Sequence, residues 1–318
     1  MKAKSCAAAA GLVLLMAIAF SGPSRSQNAA TSGSPQVIRS EADLVVLPIS
    51  VTDGHGHSVS GLKQQDFQVY ENGKPQAISV FIDNDAPVTV GLLVDCSGSM
   101  KENRSKVVEA AKDFLQFSNP QDQIFVVDFN QTPELGLSPD TPFTSSVGEL
   151  QAAVESKPSE GMTALYDAID MGLKHLVLGT NRRKALIIIS DGGDDASELN
   201  LKRTLAEVQK SSTIAYTIGI VASDQLNVNP GVMRKLAEVT GGESYFPKYA
   251  DQLPGISQQI ARDLRAQYTI AFLPAAANGN SYRKIRVAVK AAGHHGLHVR
   301  TRPGYLASSP AKTTPPNS

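Results

Sequence analysis

The feature that most constrains the fold of this chain is an apolar run, Val88 to Val94, that leads directly into a polar segment from Asp95 to Ser99. The run is short and contains β-branched residues, which is typical of a buried strand. The segment KENRSKVVEAAKDFLQF, just after it, places apolar residues at helical spacing. The polar residues therefore occupy a strand-to-helix turn, where open α/β sheets collect their binding residues.

Two later segments place oxygen-bearing side chains in similar positions. The apolar segment KALIIIS ends at Asp191, so a second predicted strand also delivers a carboxylate at its end. Between the two strands, Thr163 follows a glycine turn and precedes an amphipathic helix. Because the carboxyl ends of parallel strands share one edge of a sheet, we expect a single site. Its members are Asp95, Ser97, Ser99, Thr163 and Asp191.

The chemistry of these five residues indicates which ion the site would bind. All five offer oxygen atoms, and Mg²⁺ needs few protein carboxylates because it keeps several of its waters. Zinc normally requires His or Cys ligands. Mg²⁺ is therefore expected, with Mn²⁺ as the alternative and Ca²⁺ as a less favoured ion. Asp194 and Asp195 add charge near Asp191, but acidic residues before a helix more often serve as caps.

The order of these residues resembles the von Willebrand factor type A (VWFA) family. The metal ion-dependent adhesion site (MIDAS) of that family uses DxSxS, then a threonine, then an aspartate, and this chain matches all five positions. The resemblance implies a Rossmann-like α/β domain with a largely parallel sheet. Beyond this domain, the segments ADLVVLPISVTD, GLKQQDFQVYENGKPQ, APVTVGLLVDCSGSM and RTRPGYLA resemble the VWFA-related proteins of Acidobacteria.

Residues 1–26 read as a secretory signal peptide, because MKAK precedes an apolar stretch from Ala7 to Phe20 and a zone of small residues. That stretch has 14 residues, which is too short to span a bilayer comfortably. Cleavage is expected after Ser26, with Ala30 as an alternative site, and retention as an anchor stays open. Removing three basic residues lowers the formal charge from 0 to about −3, which does not favour nucleic acid or anionic membrane as partners.

These features predict a secreted, periplasmic or cell-envelope protein with no membrane span after cleavage. Only Cys96 would remain in the mature chain, so an intramolecular disulfide is excluded there. We expect Cys96 to be a small residue packed beneath the turn rather than a reactive thiol.

The rest of the chain divides into five regions. A polar linker at 27–36 precedes an N-terminal β segment at 37–85, and strands alternate with helices over 86–252, which predicts the VWFA domain. A C-terminal helix and β segment follows at 253–308, and 309–318 form a disordered tail. Each β segment shows three strand-like stretches: DLVVLPISV, DFQVY and AISVFI in the first, and YTIAFLP, YRKIRVAVK and LHVRTR in the second. Three strands are marginal for a free-standing domain, so we expect a split β-sandwich-like domain around the VWFA insertion.

Three functions are compatible with these features. The leading hypothesis is a non-enzymatic, exported adhesion or protein-binding module, in which the bound cation takes an Asp or Glu carboxylate of a protein partner. A metal-assisted hydrolase is the alternative, but it needs a general base beside a metal-bound water, and none of the five residues is His or Glu. The third is a structural cell-envelope protein in which the metal only braces three loops.

Overall fold

The computed structural model describes residues 44–83, 85–220, 229–274 and 281–307, which form fourteen strands and six α-helices. The strands are β1 (Val45–Thr52), β2 (Phe67–Glu71), β3 (Lys74–Gln76), β4 (Ile78–Ile82), β5 (Val88–Asp95), β6 (Gln123–Phe129), β7 (Pro133–Leu135), β8 (Arg183–Ser190), β9 (Ile214–Gly219), β10 (Ser244–Tyr245), β11 (Tyr268–Phe272), β12 (Ser281–Val289), β13 (His298–Arg300) and β14 (Gly304–Ala307). The helices are α1 (Arg104–Phe117), α2 (Val147–Glu155), α3 (Leu165–Leu176), α4 (Leu201–Lys210), α5 (Pro230–Thr240) and α6 (Leu253–Arg265). The proposed signal peptide, linker and tail lie outside the described residues.

The central sheet has six strands in the order β10-β9-β8-β5-β6-β7. β5 pairs in parallel with both β6 and β8, and β9 and β10 extend the parallel set. β7 runs antiparallel at one edge. The predicted α/β fold with a largely parallel sheet is thereby confirmed.

Helices cover both faces of this sheet. Successive side chains of a strand point to opposite faces, so Leu92 of β5 packs in one core with α1, α2 and α6, whereas Leu93 packs in another with α3, α4 and α5. Every residue of β5 is buried, as expected for a strand covered on both sides. None of the described helices has the length and apolar character needed to cross a membrane.

The remaining strands, β1 to β4 and β11 to β14, form what we call the β module. It consists of two four-stranded sheets in the orders β13-β1-β11-β4 and β14-β12-β2-β3. Each sheet mixes strands from both ends of the chain: β1 pairs antiparallel with β11 and β13, and β2 pairs antiparallel with β12. Apolar side chains from both sheets share one core, so the split β domain predicted from strand count is observed.

The β module has one more strand in each half than predicted. In the first half, Asn72 and Gly73 make a two-residue turn with φ of 48° and 82°, and the chain returns at once as β3. β14 follows Pro303 and pairs with β12. The prediction of three strands per segment is therefore wrong. The additional strands were missed because three or four residues are too few to show an alternation of apolar and polar side chains.

α6 lies in the α/β layer. It packs on α1, and its residues Leu253, Ile260 and Leu264 belong to the same apolar core as that helix. The sequence-based prediction ends the VWFA domain at residue 252 and assigns this helix to the C-terminal segment. That boundary separates the helix from the layer in which it packs. We propose to place the boundary after α6.

Candidate metal centre

Four of the five candidate residues lie at or just after the ends of β5 and β8, and the fifth lies in the loop between α2 and α3. Asp95 is the last residue of β5, and Ser97 and Ser99 lie in the turn that leads to α1. Thr163 precedes α3, and Asp191 directly follows β8. We call the three segments that carry them the first, second and third site loops, comprising residues 95–103, 157–164 and 191–199.

Asp95 is held by two hydrogen bonds inside the protein. Only 1% of its surface is exposed. Its Oδ1 accepts a bond from the main-chain N–H of Ser97 at 2.8 Å, and its Oδ2 accepts one from the Ser190 hydroxyl at 2.6 Å. The hydroxyl oxygens of Ser97 and Ser99 lie 2.9 Å apart. The first loop therefore brings one carboxylate and two hydroxyls into a single small region.

Asp191 is also buried, and its loop has a shape that only glycine permits. Its Oδ1 accepts a hydrogen bond from the N–H of Gly193 at 2.9 Å. Gly192 has φ of 83°, and a Cβ there would lie 2.5 Å from the carbonyl oxygen of Asn229. The Asn229 N–H donates to the Asp191 carbonyl at 3.2 Å, so the start of α5 supports this loop.

Thr163 is fixed mainly through its backbone. Its N–H donates to Asp195 Oδ1 at 2.7 Å, and its carbonyl accepts from the N–H groups of Asp195 and Ala196. Asp194 Oδ1 accepts from the Tyr166 N–H at 3.2 Å. Both aspartates thus act at the start of α3, whereas the sequence suggested caps for the helix that follows them. They connect the second and third site loops.

The first and second site loops are joined by two main-chain hydrogen bonds. Gly98 donates to the Gly161 carbonyl at 3.2 Å, and Glu160 donates to the Cys96 carbonyl at 2.8 Å. Cys96 itself is fully buried, and burial raises the pKa of its thiol to about 12. It is therefore a packing residue beneath the loop, as its sequence context predicted.

The electrostatics of the two carboxylates favour a bound cation. The pKa of Asp95 is raised to about 6, mainly by burial and also by the negative charge of Asp191, although the hydrogen bonds from Ser190 and Ser97 act to lower it. Among the described residues, no Lys, Arg or His forms an ion pair with either group. Buried carboxylates without a counter-charge are unfavourable, and a divalent cation would supply that charge.

The donor set also suits a hard cation. Hydroxyl and carboxylate oxygens are the ligands that Mg²⁺ and Mn²⁺ accept, and the site has no imidazole or thiolate among the five candidates. Within the described residues, no group of three or more His, Cys, Asp and Glu residues is arranged to hold a metal. The fit therefore depends on the three hydroxyls of Ser97, Ser99 and Thr163 as well as on the two carboxylates, and the ligand assignment stays a prediction.

One supporting residue was not identified from the sequence. Ser190 ends β8, is completely buried, and donates to Asp95 while accepting from the N–H of Gly192 at 3.0 Å. It links the first loop to the third. The available signal was a hydroxyl residue ending an otherwise apolar strand immediately before the candidate Asp191.

Comparison with known proteins supports this assignment of the fold. A profile of the von Willebrand factor type A domain matches residues 90–259. The structure is similar to a von Willebrand factor type A protein from Catenulispora acidiphila, with a TM-score of 0.51 and 16% identity over 78% of this chain and 74% of that chain. A search of curated proteins found no match.

Two further solved structures are similar at lower TM-scores. BatB from Bacteroides thetaiotaomicron has a TM-score of 0.44 and 17% identity, over 55% of this chain and 98% of that chain. Proximal thread matrix protein 1 from the mussel byssus, solved with a zinc-occupied MIDAS motif, has a TM-score of 0.49 and 16% identity, over 63% and 50% of the two chains. Sequence identities this low support a similarity of fold and not of function.

Proposed function

This chain belongs to the von Willebrand factor type A domain family, and from that premise we propose that it is an exported, metal-dependent protein-binding module. Domains of the family are often metal-dependent interaction modules. The proposed ligands are Asp95, Ser97, Ser99, Thr163 and Asp191, and the proposed ion is Mg²⁺, with Mn²⁺ as the alternative. Secretion to the periplasm, envelope or medium rests on the signal-like residues 1–26.

One observation supports the proposal: the carboxylates of Asp95 and Asp191 are buried and close enough to repel each other, and neither forms an ion pair within the described residues. The hydroxyls of Ser97 and Ser99 lie in the same loop as Asp95. A divalent cation held there would supply a positive centre able to attract an anionic oxygen from outside. The two carboxylates only balance its charge, and the hydroxyls are neutral donors. We therefore propose that the partner is a protein that presents an exposed Asp or Glu.

Metal binding is the first test. Titration calorimetry of residues 27–318 with Mg²⁺, Mn²⁺ and Ca²⁺ should show one ion bound per chain. Asp95→Asn and Asp191→Asn should abolish that binding because each removes one of only two charged ligands. Asp140→Asn is the matched control, since Asp140 is an exposed carboxylate beyond β7. Binding that survives in Asp95→Asn would remove this site.

Partner capture is the second test. The immobilised chain should retain an envelope protein in Mg²⁺ and release it in EDTA, and the Asp95→Asn chain should retain none. The captured protein should lose binding when one of its own exposed Asp or Glu residues is replaced by the amide. Capture that is insensitive to the chelator would contradict the proposed mechanism. Turnover of the captured protein would favour the metal-assisted hydrolase instead.

A further inference from the structure

Arg104, the first residue of α1, points its side chain into the protein although it lies close to the exposed end of the first site loop. Its side chain is only 18% exposed. Burying a guanidinium is unfavourable unless its donors are hydrogen-bonded. Its hydrogen-bond partners therefore identify the segments that the side chain joins. Those partners come from two of the three site loops and from the helix between them.

The guanidinium bridges the first and second site loops. Nη1 donates to the Cys96 Sγ at 2.9 Å, and Cys96 lies between Asp95 and Ser97 in the first loop. Nη2 donates to the carbonyl of Lys157 at 2.8 Å, and this residue begins the second loop. The same nitrogen also donates to the carbonyl of Val154, near the end of α2.

These contacts add to the two main-chain bonds that already join the loops. Those bonds connect residues 96 and 98 with residues 160 and 161, at the Thr163 end of the second loop. Arg104 instead holds the opposite end, at Lys157. The second loop is thus attached to the first at both ends, which fixes the distance and orientation of Thr163 relative to Ser97 and Ser99.

Arginine has the geometry that this bridge requires. Its planar group offers five donors in a fixed fork, so one side chain can bond a sulfur on one side and two carbonyls on the other. A lysine ammonium is a single point on a flexible stem and cannot occupy both positions at once. Asp128 Oδ1, 3.9 Å from Nη2, is too distant for a hydrogen bond, so the carbonyls and the sulfur hold the fork.

We infer that Arg104 is a positioning residue of the proposed metal site, which holds the second site loop in register with the first and so sets the affinity for the cation. This inference rests on the proposed function, because it concerns the same site. Arg104 would act without touching the ion. Residues that orient metal ligands from outside typically change metal affinity by about 10- to 100-fold when they are replaced.

The test compares Arg104→Lys with a matched control, Arg302→Lys. Arg302 is also buried and also donates through Nη2 to two carbonyls, those of Gln209 at 2.5 Å and Ser211 at 2.9 Å, but these lie at α4. Both variants should lower the melting temperature of the metal-free protein. Only Arg104→Lys should weaken Mg²⁺ binding in calorimetry, by about tenfold or more. Arg104→Gln, which keeps a planar donor group of smaller reach, provides a second variant.

A double-mutant cycle separates positioning from general destabilisation. Thr163→Ala should weaken Mg²⁺ binding strongly in the wild-type background and much less in Arg104→Lys, because the threonine is already misplaced there. In Arg302→Lys the effect of Thr163→Ala should be unchanged. Two results would overturn this inference and leave the proposed function standing. One is an equal Mg²⁺ affinity in Arg104→Lys and Arg302→Lys, and the other is additive effects of Arg104→Lys and Thr163→Ala on that affinity. A wild-type chain that binds no Mg²⁺ would overturn the proposed function as well.

Discussion

Asp95 and Asp128 are carboxyl groups buried near the ends of neighbouring strands, and their surroundings differ. Asp95 accepts bonds from a hydroxyl and a main-chain N–H, yet burial still raises its pKa to about 6. Asp128 lies 3.9 Å from Arg104, and this cation lowers its pKa, but burial outweighs the attraction and raises the pKa to about 7. In both cases desolvation is the largest effect.

Replacing Ser190 should therefore impair the site without disrupting the fold. Ser190→Ala removes the hydroxyl that donates to Asp95 at 2.6 Å, so the buried carboxylate is less well stabilised and harder to ionise. We expect Mg²⁺ affinity in calorimetry to fall by about 1 to 3 kcal/mol, the usual effect of losing a bond to a charged group. Ser118→Ala is the control, because Ser118 is a buried serine that donates to the Phe114 carbonyl in α1. Equal Mg²⁺ affinities in the two variants would contradict this role.

Asp128 should make the stability of the metal-free protein depend on pH. Its folded-state pKa of about 7 lies above the ordinary value of 3.8, so the folded chain holds the extra proton between these values. Stability should then fall as the pH rises from about 4 to about 7, by at most about 1.4 kcal/mol per pH unit. The free energy of unfolding is measured by urea denaturation in EDTA. Asp128→Asn should reduce its fall with rising pH and leave only the smaller pH dependence that comes from Asp95. Parallel curves for the two proteins would exclude Asp128 as the cause.

Between secondary-structure elements, partly buried ion pairs join the β module to the α/β layer. Arg300 of β13 donates to Asp263 of α6 at 3.0 Å and also to Glu243, just before β10. Asp263 is 4% exposed and accepts a further bond from the Ser58 hydroxyl at 2.7 Å. One side chain of the β module therefore contacts both a helix and a loop of the central layer.

Removing that side chain should be strongly destabilising. Arg300→Met leaves Asp263 buried without its cation, and breaking a buried pair in this way typically lowers the free energy of unfolding by about 3 to 5 kcal/mol. Lys235→Met, which removes the exposed i,i+3 pair with Glu238, should change it by at most about 1 kcal/mol. Urea denaturation of both variants provides the measurement. A small, equal effect would show that Arg300 is not required to join these elements.

At the scale of the whole molecule, the β module depends on both ends of the chain. β11 has β1 on one side and β4 on the other, and β12 is flanked by β2 and β14. β11 and β12 therefore each take at least one neighbour from the N-terminal half of the sequence. The module cannot be completed by either half alone.

Deleting residues 1–85 should therefore expose the C-terminal strands. β11 would lose both neighbours, so its main-chain N–H groups should exchange with solvent much faster than in the full chain. Hydrogen exchange followed by mass spectrometry measures this directly. Deleting only residues 1–36 is the control and should leave the protection of β11 unchanged. Undiminished protection of β11 in the larger deletion would mean that the C-terminal strands fold without β1 and β4.

Much of this protein was readable from sequence because the signals are local. β5 is apolar along its length until Asp95, and α3 has regular apolar spacing after Thr163, so strand ends, helix starts and candidate ligands could be identified residue by residue. β3 and β14 were missed because three or four residues are too few for a period. α6 was placed outside the α/β layer because an amphipathic pattern shows that a helix is buried, but not against what.

The sequence by itself determined the order of the longer strands and of the helices, the α/β class and the oxygen-rich loops, since these depend on neighbouring residues along the chain. Only the tertiary structure decided which groups meet across long separations. Ser190 reaches Asp95 across 95 residues, and Arg104 reaches Lys157 across 53. Such contacts depend on which strands are adjacent in the sheet and on how far α1 lies from α2. The spacing of apolar residues along the chain does not indicate these distances, so the residues that support the site could be identified only from the tertiary structure.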